Sequence, residues 1–230
     1  MRWSIQDQTK SMESLTAFLP IDRRLALAAG RPLPDRVQGV ALFADISGFT
    51  PLTAVLAQEL GPHRGAEELT RQLNLVFADL IAQVHHYQGN VIGFSGDAIT
   101  CWFDEAEVAA AAGPATNVAD LALACALELQ QVMARIESVR TPRGTIIPLA
   151  LKVALAAGPA RRFLVGDPEL YVIEVLAGAT LDQMAAGEKH ASQGEVVVTA
   201  EFVSRLSSPP VIGEWRHAHA GQRFAVIRAL

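Results

Sequence analysis

Two acidic residues have the type and position to bind a metal ion. Asp45 closes the apolar run GVALFAD that begins at Gly39, and Asp97 follows Ser95-Gly96 between two further apolar segments. A carboxylate is costly to bury at such positions without a compensating charge. Two carboxylates that meet repel each other unless a divalent cation lies between them, and Mg²⁺ is typically held by one or two carboxylates plus substrate phosphates. The pair therefore indicates two-metal phosphoryl chemistry on a nucleotide.

Each acid also has a purely structural interpretation. Asp45 could cap the helix that follows it, and Asp97 could be an ordinary turn residue. Residue type and position leave both interpretations open.

The segment after Asp45 has the features of a phosphate-binding turn. It reads Ile46-Ser47-Gly48-Phe49-Thr50, and a helix is predicted to start soon after Thr50. Gly48 permits a close approach of the backbone, and a turn between a strand and a helix presents free backbone N–H groups.

Hydrophobic periodicity predicts the elements that position these residues. Strand 39–45 precedes helices 50–60 and 65–87, and the turn at Gly96-Asp97 joins strands 91–94 and 98–103 in a hairpin. The later segments predict a helix over 117–139, strands over 146–156, 162–165 and 170–176, a helix over 179–192, a strand over 195–199, a helix over 200–206 and a strand over 224–229. This order predicts an α+β fold with a ferredoxin-like βαββαβ core, a mostly antiparallel sheet and helices on one face.

Composition narrows the class of protein. The chain has 230 residues, is 50% hydrophobic and carries a net charge of −5, which argues against a broad nucleic-acid-binding surface. No apolar stretch is long enough for a membrane span, and residues 1–10 lack a signal core, so a cytoplasmic location is expected. Cys101 and Cys125 are expected to be buried, reduced thiols. We expect residues 1–36 to form an arm or linker and residues 37–230 to form one catalytic domain.

Two segments resemble a known family. VALFADISGFTPLT around Asp45 and VIGFSGDAITCWF around Asp97 are similar to the two metal-binding motifs of class III adenylyl and guanylyl cyclases. The spacing of the two acids also resembles that of the bicarbonate-responsive soluble adenylyl cyclases and related bacterial proteins. The resemblance covers residues 39–199, with a looser match in the second half.

This resemblance implies a reaction and a site. The 3′-hydroxyl of a nucleoside triphosphate would attack its own α-phosphorus, which gives a 3′,5′-cyclic nucleotide and pyrophosphate. Asp45 and Asp97 would hold two Mg²⁺ or Mn²⁺ ions, and the backbone carbonyl of Ile46 would add a ligand. The substrate phosphates would be bound by Ile46, Ser47, Gly48, Phe49, Thr50 and Gly96.

The chain departs from the family where a second catalytic domain would complete the site. Gly93 stands where the base-selecting Lys is expected, Val175 stands near the base-facing position, and Asp182 and Ala186 stand at the Asn and Arg positions. The chain therefore resembles the metal-donating half of the site, and a complementary cyclase domain is the expected partner. ATP as the substrate rests on family analogy. A guanylyl cyclase and a regulatory nucleotide-binding or dimerisation module are the alternatives.

One basic pair also has two interpretations. Arg161-Arg162 could reach a phosphate, but a solvated start of the strand that contains Phe163 is the favoured interpretation.

Overall fold

The structure is a computed structural model that describes residues 19–167, 171–218 and 221–230. The first part of the predicted arm, residues 1–18, lies outside the described residues. The helices are α1 (Ile21–Ala28), α2 (Phe49–Leu60), α3 (Pro62–His86), α4 (Glu105–Ala112), α5 (Val118–Ile136), α6 (Ala179–Glu188) and α7 (Ala200–Val203). The strands are β1 (Arg36–Ser47), β2 (Asn90–Ser95), β3 (Ala98–Asp104), β4 (Ser138–Arg140), β5 (Ile146–Pro148), β6 (Ala150–Asp167), β7 (Tyr171–Ala177), β8 (Val196–Thr199), β9 (Val211–His217) and β10 (Arg223–Ala229).

The centre of the main sheet is a four-stranded antiparallel unit. Its strand order is β2-β3-β1-β6, with α2 and α3 between β1 and β2 and α5 between β3 and β6. The sheet continues through β8, β10 and β9, and β7 pairs with the far end of β6. The β6–β8 pairing is parallel, while the other pairings of this sheet among the described residues are antiparallel. The predicted α+β fold with a βαββαβ core and a mostly antiparallel sheet is confirmed.

Successive side chains of β1 pack alternately on the two faces of the sheet. Val40, Leu42, Ala44 and Ile46 belong to the large core that contains the apolar residues of α2, α3 and α5. Successive side chains of a strand point to opposite faces, so Asp45 lies on the other face. The pattern of the strand therefore keeps this acid out of the main core.

The helices are not confined to one face. The expectation holds for α2, α3 and α5, but Met184 of α6 packs with Ala41, Trp102 and Ala154 on the opposite face. Small residues allow α6 to pack closely on this opposite face, since a Cβ added at Gly187 would lie 3.4 Å from the ring of Phe224 and 3.7 Å from Ala154. No helix in the described parts of the chain is long and apolar enough to cross a membrane.

The segment predicted as two strands over 146–156 and 162–165 is organised differently. It forms the short β5 and the 18-residue β6, which continues through Gly158-Pro159-Ala160. These three residues are poor strand formers, but they pair in register with Val37–Gly39 of β1. Tertiary pairing thus overrides local propensity here. The predicted helix over 117–139 is α5, and the Ala-rich stretch before it forms the separate helix α4.

Both cysteines lie in the main core and are unpaired, as predicted. Burial raises the pKa of the Cys125 thiol to about 12 and raises that of Cys101 as well. The two thiols are therefore protonated and poorly reactive in the folded protein.

A buried network of charged side chains joins α1 to the sheet. This ion network consists of Asp22, Arg23, Asp104, Arg162 and Glu174, all under a tenth exposed. Arg162 Nη1 lies 2.6 Å from Asp22 Oδ2, and its Nε donates a hydrogen bond to Glu174. Arg23 Nε donates to the same carboxylate at 2.8 Å. The network therefore anchors α1, which was not predicted as an element, against the face that carries Asp45.

Arg162 corrects the prediction of a solvated basic pair. Its side chain is 1% exposed, whereas the neighbouring Arg161 is exposed and pairs with Asp35 at 2.6 Å. Burial by itself would lower the pKa of Arg162, but hydrogen bonds to Asp22 and Glu174 raise it above its usual value. Arg162 therefore stays charged within the ion network and is occupied by protein carboxylates.

We expect Glu174→Gln to destabilise the fold by about 3 to 5 kcal/mol, because it leaves Arg23 and Arg162 buried with one carboxylate fewer. Urea unfolding monitored by circular dichroism measures the change in the free energy of unfolding. The matched control is Asp35→Asn, which removes the partner of the exposed Arg161 and should cost less than about 1 kcal/mol. Equal losses for the two variants would contradict the structural role of the network.

Candidate metal and nucleotide site

Asp45 and Asp97 lie at adjoining strand ends. In the register of the sheet, Asp45 of β1 faces Ala98 of β3, the residue after Asp97. The backbone N–H of Ile46 donates a hydrogen bond to the carbonyl oxygen of Asp97, with an N···O distance of 3.1 Å. Both acidic side chains are partly exposed. The hairpin thus brings the second acid beside the first, across a segment of more than fifty residues.

The turn after Asp45 leads directly into α2. Gly48 is the N-cap residue, with φ of 112°, and it makes no side-chain cap. The first N–H groups of a helix have no partner within the helix, and Pro51 has no N–H, so the N–H groups of Phe49 and Thr50 are the ones that can meet a ligand. Phe49 is 4% exposed in the core while Thr50 is exposed. The buried ring of Phe49 therefore anchors the start of α2 in the core.

Gly48 is required by both space and conformation. A Cβ at this position would lie 2.4 Å from the carbonyl oxygen of Pro148 and 2.8 Å from Leu149 Cδ2. Its positive φ is also unfavourable for any residue with a side chain. The close approach of the β5–β6 connection therefore fixes the path of the turn.

Lys152 is a site residue that the sequence analysis missed. It faces Asp45 across the β1–β6 pairing, and its Nζ lies 3.2 Å from Asp45 Oδ2. The same Nζ lies 3.0 Å from Oε1 of Glu188, the last residue of α6. Hydrogen bonding to Glu188, and also to Asp45, raises the pKa of Lys152, although burial acts in the opposite direction. The site therefore holds a permanent positive charge next to a carboxylate proposed to bind metal.

The donor set of these residues fits a divalent cation that arrives with a phosphate-bearing ligand. Asp45 and Asp97 supply two carboxylates, and Asp45 already attracts a cation in the form of Lys152. Residues 19–167, 171–218 and 221–230 contain no group of three or more His, Cys, Asp and Glu side chains that could form a metal site on their own. Two carboxylates with phosphate oxygens and backbone carbonyls are a typical Mg²⁺ environment.

The four positions that differ from the cyclase motifs either lie apart from Asp45 and Asp97 or present no polar group. A Cβ added at Gly93 of β2 would have no neighbouring atom within 4 Å, so a longer side chain has room there. Asp182 is exposed in the first turn of α6, six residues and about 9 Å of helix axis before Glu188. Ala186 packs against the apolar cluster around Phe224, and Val175 pairs with Phe163. None of the four contributes a base-recognition group to the pair formed by Asp45 and Asp97.

Comparisons with known proteins find cyclases among the relatives of this chain. The chain is 27% identical to adenylate cyclase type 10 of Homo sapiens over 170 residues, which is 74% of this chain and 10% of that protein. The chain thus spans about a tenth of the length of the curated relatives it matches. No family model matches it.

Solved structures of cyclases share the fold. The guanylyl cyclase Cya2 superimposes with a TM-score of 0.68 and 19% identity, covering 86% of this chain and 94% of that one. The adenylyl cyclase CyaB from P. aeruginosa superimposes with a TM-score of 0.61 and 18% identity, covering 85% and 96%. Proteins with either nucleotide preference therefore share this architecture.

We expect Gly48→Ala to lower the free energy of unfolding by about 2 kcal/mol or more, because it combines a positive φ with a backbone clash. Gly93→Ala is the control, since its Cβ meets open space, and it should change stability by less than about 0.5 kcal/mol. Thermal and urea unfolding of the two variants check this difference. A Gly48→Ala protein as stable as the wild type would show that the turn relaxes easily.

Proposed function

Because the chain has the fold of class III nucleotidyl cyclase catalytic domains and is related in sequence to an adenylate cyclase, we propose that it is the metal-donating half of an adenylyl cyclase site. The reaction is the conversion of ATP to 3′,5′-cyclic AMP and pyrophosphate. A complementary cyclase domain, in tandem on the native chain or as a separate subunit, supplies the rest of the site.

The observation that carries this proposal is the convergence of three kinds of group at one end of β1. Asp45 and Asp97 provide carboxylates from adjoining strands, and Lys152 provides a cation 3.2 Å from Asp45. The first turn of α2, which begins four residues after Asp45 along the chain, provides backbone N–H groups that have no partner within the helix. Carboxylates for cations, together with amide and ammonium donors for anions, suit a metal-bound polyphosphate.

Each group has its own task in this proposal. Asp45, Asp97 and the Ile46 carbonyl hold two Mg²⁺ or Mn²⁺ ions, which when bound lower the pKa of the attacking 3′-hydroxyl and neutralise the triphosphate. The N–H groups of Phe49 and Thr50 bind terminal phosphate oxygens, with Ser47, Gly48 and Gly96 lining the same turn. Lys152 turns from Asp45 to the phosphates. The chain thereby fixes the reacting phosphorus relative to the ribose.

Gly93, Asp182 and Ala186 support dependence on a partner. A symmetric pair of this chain would have four metal-binding carboxylates but no Lys, Asn or Arg at these three positions. The same residues favour a second candidate, a regulatory module that binds nucleotide through this fold without turning it over. A guanylyl cyclase half is the third candidate, because base selection would reside in the partner.

We expect calorimetric titration with ATP and Mn²⁺ to give binding that is lost in Asp45→Asn and in Asp97→Asn, since each variant removes a metal-binding charge. Asp79→Asn, an exposed acid on α3, is the charge-matched control and should bind as the wild type does. Titration with GTP in place of ATP tests nucleotide preference. Binding that persists in both site variants would refute the proposed metal-binding role of the two acids.

An assay for cyclic AMP separates the candidates. We expect the isolated chain to form little or no product, and a reconstituted pair with a complementary cyclase domain to form cyclic AMP in an Asp45-dependent manner. Robust product from the isolated chain would contradict the metal-donating-half assignment. Binding without product in any reconstituted pair would favour the regulatory module.

A further inference from the structure

Lys152 is shared between two carboxylates, one of which belongs to the proposed metal site. Its Nζ lies 3.2 Å from Asp45 and 3.0 Å from Glu188. All three side chains are similarly accessible, with exposed fractions of 23% for Lys152, 24% for Asp45 and 25% for Glu188. A divalent ion that binds Asp45 must therefore meet or displace the ammonium group.

Both partners of Lys152 are held by rigid elements. Asp45 and Lys152 occupy facing positions of two central strands, where the pairing is continuous from Arg36 to Ser47 of β1. Glu188 ends α6, and the preceding Gly187 is buried so close to the sheet that an added Cβ would lie 3.4 Å from the ring of Phe224 and 3.7 Å from Ala154. The positions of the two carboxylates are thus set by the sheet and by the packing of α6, while Lys152 reaches both of them through a long side chain that is 23% exposed.

We propose that Lys152 is the internal counter-ion of the metal-free site and that Glu188 is a positioning residue that retains this lysine when a metal ion takes Asp45. This inference rests on the proposed metal-binding role of Asp45. Glu188 thereby lowers the cost of metal entry, because the displaced ammonium keeps one carboxylate partner. It also holds the ammonium beside the site, ready for an incoming phosphate group.

The charges of the site agree with such an exchange. Asp45, Asp97 and Glu188 carry three negative charges and Lys152 one positive charge, so the net charge of −2 is balanced by the first divalent ion, and the second of the two proposed ions arrives with the negative charge of the nucleotide. If Glu188 is neutralised, the ammonium loses one of its two carboxylate partners among the described residues, so it pairs more strongly with Asp45 and competes more strongly with the ion. If Lys152 is neutralised, the ion meets no competitor on Asp45.

The test is a titration of Mn²⁺ alone, without nucleotide, followed by electron paramagnetic resonance of the free ion. The proteins are the wild type, Lys152→Met, Glu188→Gln and the double variant, with Lys189→Met as the control that removes an exposed lysine next to Glu188. We expect Lys152→Met to tighten Mn²⁺ binding and Glu188→Gln to weaken it, each by roughly two- to fivefold, the range that partly exposed ion pairs contribute. Lys189→Met should bind Mn²⁺ as the wild type does.

The double variant distinguishes an exchange from a simple charge effect. If Glu188 acts through Lys152, Glu188→Gln should change Mn²⁺ affinity little once Lys152 is Met. Lys152→Arg should keep an affinity near that of the wild type because it keeps the charge. Far-UV circular dichroism and the melting temperature confirm that each variant is folded.

Two outcomes would overturn the inference while leaving the proposed function intact. One is Mn²⁺ binding that is lost in Asp45→Asn but unaffected by Lys152→Met. The other is an effect of Glu188→Gln that is equally large with and without Lys152, since Glu188 would then act by its charge alone. Wild-type Mn²⁺ binding no tighter than that of Asp45→Asn would instead refute the proposed metal site, and this inference with it.

Discussion

The pairing of β1 along both of its edges is the constraint on which the rest of the site depends. One edge aligns Asp45 with Ala98 and so brings the hairpin residue Asp97 beside it, while the other edge aligns Asp45 with Lys152. A shift of one residue in either register would move an entire set of side chains to the other face. The buried positions of β1 resist such a shift, because Val40, Leu42, Ala44 and Ile46 would leave the core.

The sequence was sufficient to predict the central fold and the proximity of Asp45 and Asp97 at adjoining strand ends, because both signals are local. The metal-binding role of the two acids stays a prediction. Alternation and turn residues located β1 and the hairpin, and motifs around Asp45 and Asp97 carried the family resemblance. Lys152 and Glu188 were not predictable in the same way. Lys152 is one polar residue in an apolar strand, and its partners are distant along the chain, so only the register of the sheet and the packing of α6 give it a role.

The ion network illustrates a second limit of local analysis. Arg162 follows an exposed arginine at the start of an apolar segment, which is the pattern of a solvated residue. Its carboxylate partners, Asp22 and Glu174, come from α1 and β7, and burial becomes favourable only when they meet. The network places α1 on the same face as α6, so residues within the predicted arm take part in the folded domain. Contacts between distant segments determine both how the ion network holds α1 and which residues surround Asp45. No single segment of the sequence predicts such contacts.

The charge balance around Asp45 leads to a coupling between metal and nucleotide in the proposed function. An ion that arrives alone must displace the ammonium of Lys152 and leave it with Glu188 only. An ion that arrives with a triphosphate brings oxygen acceptors for the displaced ammonium, so the lost contact to Asp45 is replaced. In the proposed function the N–H groups of Phe49 and Thr50 would add donors to the same phosphates. Metal and nucleotide would then stabilise each other's binding, and this stabilisation would be reciprocal by linkage. A site arranged as proposed would therefore favour the metal–nucleotide complex over the free ion, even before a partner domain docks.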